Sequence, residues 1–187
     1  MSYRERLYRF RSFWIFPIIA TILLYATLHT EKATLSHYFW LFPLGVLLWT
    51  LLEYVLHRFI FHIQIPLKNP LLRDFVNSSH LLHHASPRDP EKVLVHPAYG
   101  LVISSLLFAL LLAVFRDAGA AAVTITGIWT GFLYYEAVHY RVHFNLSGSG
   151  LIGRQRRAHF HHHFINNKRC FGVTSPLLDY VFGTYLA

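Results

Sequence analysis

Charge is scarce in this chain. Asp, Glu, Lys and Arg make up only 14% of its 187 residues, whereas a soluble domain carries roughly 25%. So small a polar complement cannot cover a sequence that is 54% hydrophobic and 17% aromatic, and a fold wetted on every side is excluded. Cysteine is scarcer still. The single Cys170 excludes an internal disulfide framework and a four-cysteine zinc or iron–sulfur site within one chain. No glycine-rich dinucleotide fingerprint and no cysteine-based haem attachment is present, so the sequence offers no site for NAD, flavin or covalent haem. Internal repeats and low-complexity linkers are also missing, and no small-residue cleavage motif follows the first apolar stretch as it would in a signal peptide. A single domain over residues 1–187 is expected.

What is there, first, is long apolar runs: Phe13 to Leu28, Tyr38 to Leu56, Pro97 to Phe115 and Ala118 to Val138. Each approaches the ~20 residues that cross a bilayer. The first is short and holds Pro17; the fourth is softened by Thr124, Thr126 and Thr130, as a helix packed inside a bundle tolerates. The 17 Lys and Arg residues divide unevenly between the connections. Fifteen fall in the N-terminal segment (Arg4, Arg6, Arg9, Arg11), the second loop and the C-terminal segment, leaving Lys32 and Arg116 on the other side. By the positive-inside rule the richer side, with both termini, is cytoplasmic. The net charge of +8 then reads as topology and attraction to anionic headgroups, with no nucleic-acid partner.

Histidine is the other excess, at fourteen residues. His29 and His37 flank the short outer loop and read as interfacial anchors; His96 and His161 are assigned the same role. The remaining ten fall into four groups on the cytoplasmic side: His57 and His62; His80, His83 and His84; His139 and His143; His159, His162 and His163. Residues at i, i+3 and i+4 share a helix face, so each triplet and the 139/143 pair can present imidazoles together. His57 and His62, at i and i+5, stand about 140° apart on an ideal helix and face the same way only if the helix unwinds between them. Neutral imidazole is the commonest ligand of zinc and iron, and ten of them suit two metal ions. Neutral ligands leave the charge of two divalent ions uncompensated, which calls for bound hydroxide or oxo and for nearby carboxylates that orient the histidines. Glu53, Glu136 and Asp179 are the candidates, each with a surface salt bridge as its alternative role.

The stretches LLEYVLHRFIFH, SSHLLHH, YEAVHYRVH, AHFHHHF and FGVTSPLLDYVFGTY together resemble the fatty acid hydroxylase superfamily, which also contains the sterol desaturases. The spacings HX4H, HX2HH, HX3H and HX2HH are most similar to the fatty acid 2-hydroxylase branch, and the resemblance spans Leu48 to Tyr185. It implies an all-α integral membrane protein. About four crossing helices (13–28, 38–56, 97–115 and 118–138) would carry a cytosolic helical cap, built from 57–96 and 139–187, that holds a dimetal site. The ligands it implies are His57, His62, His80, His83, His84, His139, His143, His159, His162 and His163. Iron is the working metal, although members can be isolated with zinc. The reaction it implies is O2-dependent hydroxylation of a lipid acyl chain next to the carbonyl. Eukaryotic 2-hydroxylases often carry a cytochrome b5 domain, and only twelve residues precede the first apolar run here. The electron donor is therefore expected as a separate protein, cytochrome b5-like or ferredoxin-like, docking on Arg154, Arg156 and Arg157. A simple acyl lipid stands beside a ceramide-type lipid as the expected substrate.

The chemistry agrees with the residue types. An unactivated C–H bond yields to no protein acid or base, so the metals must do the work. A metal transporter would place its ligands near the bilayer midplane, but the apolar runs have no histidine in their interiors. A zinc hydrolase would need a general base, and neither Glu53 nor Glu136 lies in an HExxH pattern. A desaturase of the same superfamily is the nearest rival.

Overall fold

A computed structural model describes residues 10–30, 38–62, 68–144 and 149–186. Arg4, Arg6, Arg9, Lys32 and His37 lie outside the described residues. Among those described, regular structure is entirely helical: α1 Ser12–Thr30, α2 Leu41–Val55, α3 Pro70–Val76, α4 Leu82–Ala85, α5 Pro90–Val93, α6 Pro97–Phe115, α7 Ala118–Phe144, α8 Gly150–Phe164 and α9 Leu177–Val181. Two π-helical turns are spliced in, Leu56–Phe61 directly after α2 and Asn77–Leu81 directly before α4. Two helical stretches are long and apolar enough to cross a membrane, Leu41–Phe61 and Pro90–Phe115, and Ser12–Thr27 is a shorter apolar helix. The fourth apolar run lies within α7.

The chain forms two compact units, one of residues 1–49 and 96–133, the other of 50–95 and 134–187. In the first unit the opening turns of α7 are the core: Ala121, Ala122, Thr124 and Ile125 are all fully buried. Small residues let this helix pack closely. A Cβ on Gly45 would collide with the Thr124 carbonyl, and one on Gly127 with the carbonyl of Phe42, so both positions need glycine for backbone approach. Phe16 packs its ring against Trp129 at 5.6 Å and Phe132 at 5.2 Å. The Trp129 indole N–H is satisfied by Ser104 Oγ at 2.8 Å, as a buried donor in an apolar surround must be. Asp117 starts α7 by accepting from the Ala120 amide at 2.8 Å. On α6, Val102, Leu106, Leu110 and Val114 recur every four residues and are all exposed, a face suited to lipid and not to water.

The second unit carries all ten histidines of the HX4H, HX2HH and HX3H motifs. Its core is polar to an unusual degree: His57, His80, His83, His139, His159 and His162 are buried together with Glu53, Glu136 and Asp179. Burial of that much polarity is costly wherever a group lacks a partner.

Candidate metal centre

The ten imidazoles gather into two groups of five. His57, His62, His80, His84 and His162 form one; His83, His139, His143, His159 and His163 form the other. Within each group the ligand nitrogens lie within 4.8 Å of one another. In the first, His162 Nε2 approaches the Nε2 atoms of His57 at 3.0 Å, His62 at 2.9 Å and His84 at 3.1 Å. His80 Nε2 closes the set at 3.2 Å from His62 and 2.9 Å from His84. The second group repeats the pattern. His159 Nε2 meets His139 at 3.1 Å, His143 at 2.8 Å and His163 at 3.0 Å, while His83 meets His139 at 3.1 Å and His163 at 3.0 Å. The groups touch where the rings of His84 and His163 stack at 4.0 Å.

These approaches are not a hydrogen-bond network. A neutral imidazole has one N–H, and an Nε2 with three nitrogen neighbours at about 3 Å cannot serve all of them. Two nitrogens that each lie ~2.1 Å from one ion and subtend about 90° are ~3.0 Å apart, and an opposed pair is ~4.2 Å apart. The observed separations, 2.8 to 3.2 Å between neighbours and under 4.8 Å throughout, match one cation within each group. The donor chemistry fits an imidazole-loving metal such as zinc or iron.

Local structure explains how the motifs reach these positions. A π-helical turn over Leu56–Phe61 widens the helix so that residues five apart align, and it brings His57 and His62 into one group despite the 140° that an ideal α-helix would impose. Each HX2HH triplet is split. His80 and His84, one turn apart, serve the first group while His83 serves the second; His159 and His163 serve the second while His162 serves the first. Consecutive helical residues diverge by about 100°, which lets one short helix feed two adjacent centres.

Two histidines of the first group are aimed by the backbone. His57 Nδ1 donates to the Phe171 carbonyl at 2.6 Å and His162 Nδ1 to the Arg169 carbonyl at 2.7 Å, which leaves each Nε2 lone pair pointing inward. Cys170 between them takes a left-handed conformation, with φ of 57°, and donates its N–H to the Thr184 carbonyl at 2.8 Å. The same 169–174 segment is gripped by two of the three buried acids. Asp179 accepts from the Phe171 and Gly172 amides at 2.9 and 2.8 Å and from Thr184 Oγ1 at 2.7 Å. Glu53 accepts from the Val173 and Thr174 amides at 2.6 and 2.8 Å and from the Thr174 hydroxyl. Gln155 Nε2 adds a bond to the Thr174 carbonyl at 2.8 Å. A Cβ on Gly172 would strike the Ser175 carbonyl and stand 3.1 Å from Asp179 Oδ2, so this close approach requires glycine.

In the second group the Pro87 carbonyl lies close enough to His143 to favour its protonated form slightly, against the effect of burial. The Nδ1 atoms of His83, His139, His159 and His163 are buried without a protein partner. Tyr135 stacks on His139 at 5.2 Å. Glu136 takes the Val95 amide at 3.2 Å on one oxygen, and its other oxygen is buried and unpartnered. Glu53 and Asp179 therefore bond the backbone that aims His57 and His162. Outside the two groups, His96 caps α6 by accepting from the Ala98 amide, and the His29 ring meets Tyr25 at 4.1 Å. The carbonyls of Phe171 and Arg169 carry no side-chain signature and were invisible to motif reading.

Burial keeps the imidazoles neutral. It pushes His62 and His143 down to about 4, His83 and His162 to about 3 and His84 to about 2, with neighbouring imidazoles deepening the shift for His83, His84 and His162 and the Arg156 charge doing so for His143. His80, His159 and His163 are lowered for the same reasons, burial first. At neutral pH the clusters are in their ligand form.

A sequence model of the fatty acid hydroxylase family matches residues 42–184. Fatty acid 2-hydroxylase of Rattus norvegicus is 32% identical over 147 residues, covering 78% of this chain and 39% of the relative. Dihydroceramide fatty acyl 2-hydroxylase FAH2 of Arabidopsis thaliana is 35% identical over 144 residues, covering 75% and 58%. The chain thus spans about two fifths to three fifths of the length of these relatives. Among solved structures, full-length scs7p, with only its hydroxylase domain visible, superposes with a TM-score of 0.80 at 27% identity over 93% of this chain and 66% of that one.

Proposed function

The chain belongs to the fatty acid hydroxylase family, and from that premise we propose that it hydroxylates the acyl chain of a lipid with O2 at the carbon next to the carbonyl. One observation carries the reading: ten neutral imidazoles turn their Nε2 atoms inward in two touching groups of five. Relatives of this chain are named as hydroxylases acting at the 2-position of fatty acyl groups. His57, His62, His80, His84 and His162 would hold one metal ion, and His83, His139, His143, His159 and His163 the other. Two iron ions bound there would supply redox chemistry with O2 toward an acyl C–H bond, a capacity that zinc in the same places would lack.

The protein's own share is positioning and electrostatics. Burial keeps the ligands unprotonated; Asp179 and Glu53 hold the backbone that orients His57 and His162. The four apolar runs cross the bilayer with both termini and the histidine groups on the cytoplasmic side, a topology supported by fifteen of the 17 basic residues falling there. Electrons come from a separate, acidic donor of the cytochrome b5 or ferredoxin kind. Arg154 and Arg157, both exposed, and Arg156 lie on the helix that carries His159, His162 and His163 and offer it a landing surface.

The test is turnover under 18O2 with a saturated acyl lipid and a supplied reductant, read by mass spectrometry. One 18O atom in a 2-hydroxyacyl product is the expected result. A new double bond without 18O would move the protein to the desaturase side of its superfamily.

A further inference from the structure

A cleft of about 350 Å³ opens beside the first histidine group, lined by Arg58, Phe59, His62, Asn167, Lys168 and Phe171. The geometry points to a binding site for the anionic oxygen headgroup of an acyl lipid, a carboxylate or a phosphate, held by Arg58 and Lys168 against the edge of the metal centre. The inference deepens the proposed function, since it supplies the chemical class of the substrate at that same site.

The cleft has two cations and no acid in its lining. The two carboxylates that bond the adjoining 171–174 backbone are already committed: Asp179 to the Phe171 and Gly172 amides and Thr184, and Glu53 to Val173 and Thr174. Among the described residues, neither Arg58 nor Lys168 pairs with a carboxylate. Arg58 is nonetheless firmly held. Its Nη1 donates to Tyr54 Oη at 2.7 Å, and its guanidinium carbon lies 5.0 Å from the Phe59 ring and 5.7 to 5.8 Å from the rings of Tyr54, Phe171 and Phe182. One of five donors is used, so a planar fork remains for a bidentate oxyanion, with little rotamer freedom left to lose. A half-buried guanidinium held by aromatic faces and one hydroxyl, with a second cation lining the same cleft, gains most from a ligand that brings negative charge.

Position supports the same class of ligand. Arg58 lies near the end of the apolar helical stretch Leu41–Phe61, where a membrane segment gives way to headgroups. The surroundings are amphiphilic, with Phe59 and Phe182 each 55% exposed and Ile165 76% exposed. The cleft is at the small end of ligand pockets, suited to a headgroup while the acyl chain lies elsewhere. His62 lines it, so an anchored headgroup sets the first carbons of the chain against the metal-binding imidazoles. A neutral lipid amide would leave both cations unanswered.

The experiment uses the full, metal-loaded chain in a nonionic detergent, with radiolabelled stearate as the probe and stearamide and 1-stearoyl lysophosphatidate as competitors. The Lys168→Glu variant is chosen because its side chain is exposed; a melting curve matching the parent certifies its fold. Stearate binding that weakens at least ~10-fold in Lys168→Glu, and that stearamide fails to displace, upholds the site. Displacement by lysophosphatidate then marks a phosphate site as well, and its failure marks a carboxylate site; both uphold the anion. Equal competition by stearamide, or unchanged affinity in Lys168→Glu, overturns the proposal. The binding readout is independent of turnover. Anion binding without 18O in any product leaves this site standing and removes the hydroxylase reading alone.

Discussion

Among the described residues Asp179 hydrogen-bonds to no histidine, yet its carboxylate fixes the amides on either side of the Phe171 carbonyl that receives His57. Converting it to asparagine keeps the shape and replaces one acceptor oxygen by an NH2 group facing a backbone N–H. Asp179→Asn is expected to lower metal affinity ~10–100-fold with the fold retained, measured by zinc competition against a chromogenic chelator. Unchanged affinity would reduce the residue to a helix-end cap. Glu53 was legible in the sequence because it stands one turn before His57, and Asp179 because LLDY belongs to the closing stretch that carries the family resemblance. Their targets were not, because a peptide carbonyl looks the same at every position.

The imidazoles make a second prediction at this scale. Burial holds the native pKa of His62, His83, His84, His143 and His162 at about 4 or lower, below the unfolded value of about 6.5. Between those values the unfolded chain binds more protons, so stability is full above pH ~6.5 and declines as pH falls toward the native values. Metal-free protein should melt at progressively lower temperature from pH 7 to pH 5. A melting temperature flat over that range would contradict neutral burial.

At the scale of elements, the segment from Arg169 to Thr174 links helix geometry to metal geometry. It presents two carbonyls to histidines and four amides to the two acids. Gly172 is its tightest point, and a methyl group there has to displace the Ser175 backbone. Gly172→Ala is expected to cost about 1–3 kcal/mol by overpacking, seen as a lower melting temperature together with weaker metal retention. Full retention of both would mean that the segment is pliable. Helical spacing exposed three of the four histidine motifs. The fourth, HX4H, defied an α-helical reading because its alignment depends on a π-turn at Leu56–Phe61. The splitting of each triplet between two centres was equally hidden: i, i+3 and i+4 look like one face until two targets stand side by side.

For the whole molecule, the scarcity of charge and the four apolar runs announced a helical membrane protein, and two helical stretches have the required length and apolarity. The buried start of α7 shows why its run is the most diluted: Thr124 and the small residues around it face protein, where lipid-like hydrophobicity is not needed. The two histidine groups share one contact pattern but differ in support. The first is tied to the backbone through His57 and His162, whereas four Nδ1 atoms of the second have no protein partner.

Each group of five imidazoles is proposed to hold one ion. The most direct measurement is the total iron and zinc per chain by elemental mass spectrometry, on folded protein saturated with metal and freed of loosely bound ions. Two ions per chain is the result expected from two complete five-nitrogen groups. A value of one or fewer at saturation would contradict the account, because one of the groups would then be a buried imidazole cluster with nothing to hold its lone pairs together.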